Sequence, residues 1–256
     1  MYFLSLLAIF KNETMNLRVW LDHYIWQGVE HFYLIDNGST DNPLTILQEY
    51  IDKGIVSYFY RPKPFHQLEH YRTIFDNEKL KKTTRWLIIA DLDEFFYGLK
   101  TSISAMLPKF IKYDVIYCNW LMFGSSGLID HPLDIRTSLI NRDSGFHPNK
   151  KYIFKPASLA SSSQIFIHHI QETNHNTNNY NYNYNKHLIK LNGNPFIHLN
   201  HYPIQSKQYF ENVKMRRGDV NSEISNNIRN WSYFKEYDQN KNTLDHYLKD
   251  IVLLNA

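Results

Sequence analysis

Asp91, Asp93 and Glu94 lie within four positions of one another, directly behind the apolar run Trp86-Leu87-Ile88-Ile89-Ala90. A run of this kind reads as a buried parallel strand, and the C-terminal end of such a strand opens onto the ligand crevice of an α/β sheet. Carboxylates placed there carry a large desolvation cost unless they are paired. A divalent cation is the natural partner. Asp-x-Asp alone is a short pattern that also occurs on surfaces and at helix starts. The apolar strand before it and the segments upstream turn the reading toward a metal–nucleotide site.

Those segments follow other expected strands. The apolar stretches predict strands at 2–9, 31–36, 55–60, 86–90 and 114–120. Lys11-Asn12-Glu13 follows the first. Asp36-Asn37-Gly38-Ser39-Thr40-Asp41 closes the second, and Trp120-Leu121-Met122-Phe123-Gly124-Ser125-Ser126-Gly127 closes the fifth. Between them, Leu17, Trp20, Leu21, Tyr24 and Ile25 recur at helical spacing over 15–27, with Gly28 as the stop. Leu44, Leu47, Tyr50 and Ile51 do the same over 43–53, with Asp41 or Asn42 as a natural cap and Pro43 at the first helical position. A third, more polar helix is expected over 68–82. Alternation of strand and helix argues for a parallel sheet with right-handed crossovers. In such a sheet the polar strand ends share one edge and meet in one cleft.

The second half is less regular. Short strands are expected at 152–156, 164–169, 187–191 and 196–200, and helices at 205–217 and 221–254. The tract 173–185, which ends in repeated Tyr-Asn, is low in complexity and reads as a loop or insertion. His168 and His169 alternate across an expected strand, so at most one of them faces the cleft. No internal repeat or Gly/Ser linker divides the 256 residues, which read as one domain with parts over 1–125 and 126–220 and a helical tail over 221–256.

Composition narrows the class. Lys and Arg number 28 against 25 Asp and Glu, a net charge of +3, which gives no broad electrostatic case for nucleic acid. The single cysteine, Cys118, excludes an internal disulfide and a Cys-based zinc site, and points to a reducing compartment or to indifference to redox state. The apolar start, 1–10, lacks a basic leader and a small-residue cleavage site, and no run reaches the roughly 18 apolar residues of a membrane span. The expectation is a cytoplasmic or otherwise soluble intracellular protein without an integral membrane segment.

Taken in order, several segments resemble glycosyltransferases. Phe32-Tyr33-Leu34-Ile35-Asp36-Asn37-Gly38-Ser39-Thr40-Asp41 is similar to the nucleotide-binding segment of family 2-type enzymes with the GT-A fold. The ordered set Lys11-Asn12-Glu13, Trp20-Leu21-Asp22-His23-Tyr24, Gly28-Val29, Asp91-Leu92-Asp93-Glu94-Phe95, Trp120 with Phe123-Gly124-Ser125-Ser126-Gly127, and His201-Tyr202 with Ser206 resembles glycosyltransferase family 92. The resemblance implies a GT-A, Rossmann-like α/β fold: a mostly parallel central sheet flanked by helices, a smaller irregular acceptor-side β region and C-terminal helices. It implies that Asp36 contacts the nucleoside, with Lys11 and Glu13 near the base. It implies that Asp91 and Asp93 hold the donor's ribose and metal-bridged diphosphate, and that His201 completes the metal site.

Carboxylates with one imidazole favour Mn²⁺ somewhat over Mg²⁺. Lys207, Lys214, Arg216 and Arg217 follow His201 on an expected helix and read as a lid that neutralises a diphosphate leaving group, with Arg72 a further candidate for that task. For the base that deprotonates the acceptor, the candidates are Asp130, in the loop after Gly127, and Glu94. The expected activity is metal-dependent transfer of a sugar from a nucleotide diphosphate, UDP foremost, to a glycan or protein hydroxyl, with inversion. A metal-dependent nucleotidyl- or phosphotransferase and a non-catalytic nucleotide-sugar-binding protein are the alternatives.

Overall fold

The computed structural model describes residues 1–171, 196–217 and 229–255. Its centre is a six-stranded sheet in the order β3-β2-β1-β4-β9-β6. β1 (Tyr2–Phe10), β2 (His31–Asp36), β3 (Val56–Tyr60) and β4 (Thr84–Ile89) run parallel, joined by α1 (Thr14–Trp26), α2 (Leu44–Asp52) and α3 (Gln67–Asn77). β1 is apolar along its whole length because both faces are covered. Leu4, Leu6, Ala8 and Phe10 pack with Trp20, Leu21 and Tyr24 of α1, while Leu7 and Ile9 pack with Tyr71, Ile74 and Phe75 of α3. The mixed α/β architecture with a mostly parallel sheet is the one the sequence predicts.

β9 (Lys150–Phe154) departs from the simple alternation. It lies between β4 and β6 (Val115–Asn119) and is antiparallel to both. β6 therefore runs the same way as β4, and the ends of β1, β2, β4 and β6 share one edge. The start of β9 is carried to that same edge, with Lys151 opposite Cys118 and Tyr152 opposite Ile89. A second sheet, β5-β10-β7, joins Glu94–Gly98, Ile197–His201 and Leu121–Met122 beside this edge. A two-stranded ribbon pairs β8 (Asn141–Arg142) with β11 (Thr243–Leu244).

Several expected elements are corrected. The sequence reading holds no counterpart of β5; its residues follow the acidic turn so closely that they read as part of it. The expected helix over 68–82 is two, broken at Lys79, which adopts a left-handed φ of 53°. The expected strand 164–169 is a turn (Ser162–Gln164) followed by a single bridge between Ile165 and Ile170. Among the described residues, the expected long helix over 221–254 is interrupted by β11, with helices Trp231–Asp238 and Tyr247–Leu254 on either side. Asp41 does not cap α2. Its carboxylate accepts from the Thr14 amide, 2.9 Å away, and so serves the start of α1. The tract 173–185 and the expected strand 187–191 lie outside the described residues.

α1 connects this frame to the acidic turn. Trp20 donates from its indole to the Asp91 and Glu94 carbonyls at 3.1 and 3.2 Å. The Tyr24 hydroxyl donates to the Glu94 carbonyl and accepts from the Phe96 amide. His23 meets the Phe96 carbonyl through Nε2 at 2.7 Å. Burial, aided by Arg136, holds the His23 imidazole at about 3, against its usual 6.5.

This histidine gives the fold a definite pH response. The unfolded chain takes up the His23 proton below about 6.5, and the folded chain does not until about 3. Protons therefore favour unfolding, and stability falls as pH drops from 6.5 toward 3, by up to about 1.4 kcal/mol per pH unit from this group. Urea unfolding of the parent and of His23→Gln, which keeps an amide donor and cannot titrate, is expected to show a shallower acid slope in the variant. Superimposable slopes would remove His23 as the source.

Candidate active site

One cavity of about 270 Å³ opens at the shared sheet edge. Lys11 and Glu13 reach it from the end of β1, Asp91 and Asp93 from the end of β4, Trp120 from the end of β6, His201 from the end of β10, and Lys214 and Arg217 from the late helical segment 207–217. The convergence of strand ends expected from a parallel sheet thus holds for these residues.

The acidic turn is built against opposite charge. Asp91 accepts from the Lys151 ammonium at 2.9 Å, and the same ammonium is 3.5 Å from Glu94. Lys151 is fully buried. Burial alone would lower its pKa, but the neighbouring Asp91 and Glu94 raise it, so it stays charged. Glu94 is fully buried as well, and its Oε2 accepts from the Asp91 amide at 2.8 Å. Burial pushes its carboxyl well above the usual range, against the pull of Lys151 and with the help of Asp91 and Asp93. Lys151 therefore keeps its charge beside Asp91, while burial drives Glu94 toward its protonated form.

Asp93 has different neighbours. Tyr202 donates its amide to the Asp93 carbonyl at 2.8 Å, one residue beyond the pairing of His201 with Glu94. That register brings His201 Nε2 to 3.6 Å from Asp93 Oδ1. Trp120 lies against the His201 ring at 4.3 Å. On the other oxygen, Lys214 Nζ stands at 2.5 Å. Burial would raise the Asp93 carboxyl, but Lys214, His201 and Arg217 outweigh it and hold it well below the usual carboxylate range. Lys214 itself is lowered by its burial and by Arg217, while Asp93 and Glu13 pull the other way.

The late helical segment is anchored by Glu13. Arg217 donates to one Glu13 oxygen, and the Tyr209 hydroxyl donates to the other at 2.5 Å. Residues Phe210–Lys214 form a π turn. A π turn inserts an extra residue and re-aims the side chains after it, which is why such turns collect at functional sites. Here Lys214 and Arg217 both face the cavity.

Other sequence candidates stand elsewhere. Asp36 is buried, with one oxygen accepting from the Ser39 amide at 2.7 Å and the other from the Tyr58 hydroxyl at 2.6 Å, and it does not line the cavity. Arg72 donates to the Ser163 and Ile165 carbonyls and fastens α3 to the 162–166 turn. Lys207 and Arg216 are exposed, and Lys207 borders a separate groove beside Trp231 and Phe234. Asp130 is exposed and outside the cavity. Glu94 is buried beneath the turn and does not line the cavity. The Gly124-Ser125 backbone does not approach the cavity either. Ser125 donates its amide and hydroxyl to Asp238 at 2.7 and 2.9 Å.

Lys151 is the residue that the sequence reading missed. Its only signal is a lysine beside the apolar Tyr152-Ile153-Phe154, and its role follows from the antiparallel placement of β9. Gln67, His147, Asn149, Tyr233 and Tyr237 also line the cavity without having been singled out, and of the two adjacent histidines, His168 does so.

The charge assignment at the turn is testable. Lys151→Met strips the charged partner from the part-exposed Asp91 and is expected to cost about 1.5–3 kcal/mol. Glu94→Gln replaces a protonated carboxyl by a neutral isostere and is expected to cost less than about 1 kcal/mol. Chemical denaturation of both variants checks this; a comparable loss in the two would mean that Glu94 is ionised.

The family model described as glycosyltransferase family 92 matches residues 5–246. A glycosyltransferase family 92 protein of Arabidopsis thaliana is 25% identical over an alignment that covers 62% of this chain and 30% of the relative, so the chain spans under a third of that protein's length. Among solved structures, S. aureus TarS 1–349 overlays with a TM-score of 0.40 at 12% identity, covering 60% of this chain and 47% of that one. The same protein in complex with UDP gives a TM-score of 0.40 at 13% identity. Likeness of that size carries no inference about chemistry. Among the described residues no helix is long and apolar enough to cross a membrane. On the match over nearly its whole length, the chain belongs to glycosyltransferase family 92.

Proposed function

We propose that this chain transfers a sugar from a nucleotide diphosphate, UDP foremost, to a hydroxyl acceptor, with inversion and with the help of a divalent cation. The observation that carries the reading is the single cavity in which Asp91, Asp93 and His201 meet Lys11, Lys214 and Arg217. Acids and cations gathered at one buried edge suit a ligand that carries a diphosphate and a metal together.

The donor set fits a cation in its chemistry. Asp93 and His201 face each other at 3.6 Å, and Asp91 lies on the same wall. Carboxylate oxygens with one imidazole suit Mn²⁺ rather better than Mg²⁺. Among the described residues no three acids or histidines stand as a ready-made metal cage. Asp93 and His201 would hold the ion first, and Asp91 would join them. The ion would supply charge to the leaving diphosphate.

The chain's own residues do the rest. Lys11, Lys214 and Arg217 would bind phosphate oxygens and stabilise the charge that develops on the leaving group, in a site where low dielectric strengthens each interaction. Lys214 is pre-positioned for this by its contact with Asp93. Trp120 and the aromatic wall formed by Tyr233 and Tyr237 would exclude water from the reacting centre.

Calorimetry with UDP and Mn²⁺, followed by product analysis with UDP-sugars, tests the reading. Asp93→Asn is preferred to Asp93→Ala because truncation would also leave Lys214 with a cavity beside a buried charge. The variant is expected to fold, to lose Mn²⁺-dependent UDP binding and to lose transfer. His201→Ala is expected to weaken Mn²⁺ binding and to shift preference toward Mg²⁺. Unchanged metal titrations in both variants would remove the metal assignment. Release of pyrophosphate in place of UDP would replace the reaction class.

A further inference from the structure

The sheet edge opposite the cavity is basic. The starts of β1, β4 and β6 and the end of β9 meet there, since Tyr2 pairs with Thr84, and Phe154 with both Leu87 and Val115. Two short segments bring cations to it. Lys79, Lys81 and Lys82 crowd the short helix before β4, and Arg85 sits at the second position of that strand. Lys109 and Lys112 lie on the helical turn that leads into β6. All six are exposed. The stretch after β9 joins the two segments. Lys155 Nζ meets the Ile111 carbonyl and the Asp114 carboxylate, and Lys81 Nζ meets the Leu159 carbonyl at 2.6 Å.

Acids at this edge offset only part of the charge. Asp114 is matched by Lys155 at 3.2 Å. Glu30, whose carboxylate accepts from the Phe3 amide, stands against the six together with Asp76 and Glu78 beside the β4 segment. The remainder, three positive charges, equals the net +3 of the whole chain. Charge is thus concentrated at one end of the molecule rather than spread over it.

The charge comes with an apolar prong. Ile111 is 48% exposed and stands between Lys109 and Lys112 in the chain, while Phe110 before it is buried. Phe110 roots the turn in the core, and Ile111 projects from it between two ammonium groups. Lys112 Nζ lies 5.1 Å over the Tyr113 ring, and the Arg85 guanidinium lies 5.6 Å over Phe3. Both cations therefore rest their stems on aromatic surface and keep their heads outward, the posture of side chains at an apolar–polar boundary.

We propose that this edge docks on an anionic lipid surface, with the cavity facing away from it. The proposal does not depend on the donor reading. Lipid phosphates attract the cations across a Debye length, and an exposed aliphatic side chain gains further free energy at the acyl boundary. Neither signal suffices alone; together they make a reversible anchor. Ile111 decides the class of partner, because a nucleic-acid backbone rewards the cations and offers an aliphatic prong nothing.

Co-sedimentation of the intact chain with vesicles of phosphatidylcholine, with and without phosphatidylserine, tests the surface. Binding is expected with phosphatidylserine only, and is expected to weaken as salt rises. Lys82→Gln/Lys109→Gln/Lys112→Gln is expected to weaken it by roughly tenfold or more. Ile111→Ser is expected to weaken it roughly threefold and to leave its salt dependence unchanged. The replaced side chains are exposed, so urea midpoints of both variants are expected to match the parent. Sedimentation with neither vesicle, equal sedimentation with both, or binding that the triple variant leaves intact overturns the proposal. Fluorescence anisotropy with an RNA oligonucleotide is the remaining arm. Binding tighter than that to the vesicles, and indifferent to Ile111→Ser, would assign the edge to nucleic acid and overturn the lipid reading.

Discussion

Buried carboxylates must be neutralised, and the rest of this structure follows from how that is done. Glu13, Asp91, Asp93 and Glu94 gather at one edge of the sheet with little or no access to water for most of them. Left unpaired, such groups would cost several kcal/mol each. The chain meets this with cations drawn from far away in sequence: Lys151 beneath Asp91, Lys214 on Asp93 and Arg217 on Glu13. One acid, Glu94, is handled differently: burial pushes it toward its protonated form. The result is a cavity whose carboxylates are paired in the free protein, yet each of Asp91, Asp93, Lys214 and Arg217 still lines the space a ligand would enter.

Such a site demands a rigid backbone beneath it. The acidic turn is held from below by the Trp20, His23 and Tyr24 side chains of α1, all of which bond to main-chain groups between Asp91 and Phe96. These residues look like ordinary core positions in a helical pattern. Their polar atoms make them the fixture that sets the height and orientation of the carboxylates. Beside the turn, β10 pairs with β5 in the one register that puts His201 next to Asp93. A slip of one residue would turn the imidazole to the other face.

The late helical segment links binding chemistry to the remainder of the fold. Its π turn gives Lys214 and Arg217 a common direction, and Glu13 with Tyr209 fixes its end near β1. The polar rims of the cavity thus come from opposite ends of the chain. The aromatic wall comes from a third place, the helix Trp231–Asp238, which is held by Ser125. Cavity-lining groups on separately anchored elements suit the proposed transfer, in which donor and acceptor must be aligned before chemistry.

Much of this was legible in the residues themselves. The apolar run before Asp91 fixed a buried strand, and the 3.6-residue spacing of Trp20, Leu21 and Tyr24 fixed a helix, because local burial periodicity depends on nothing outside the segment. The strand-end acids pointed to one cleft because parallel connectivity carries strand ends to one edge, while His201 entered through the family resemblance. Tertiary structure alone decided the rest. Lys151 reaches Asp91 only because β9 is inserted antiparallel between β4 and β6, a pairing that no local pattern encodes. Arg72, Lys207 and Asp130 have the right chemistry in the wrong place, since a side chain's direction depends on which neighbour its element packs against. Asp36 sits at the predicted strand end but spends both oxygens on its own turn and on Tyr58. Residue type and order determined what chemistry this chain could assemble; the packing of distant segments decided which of those groups share a dielectric and a cavity, because electrostatic pairing depends on distance in space rather than in sequence.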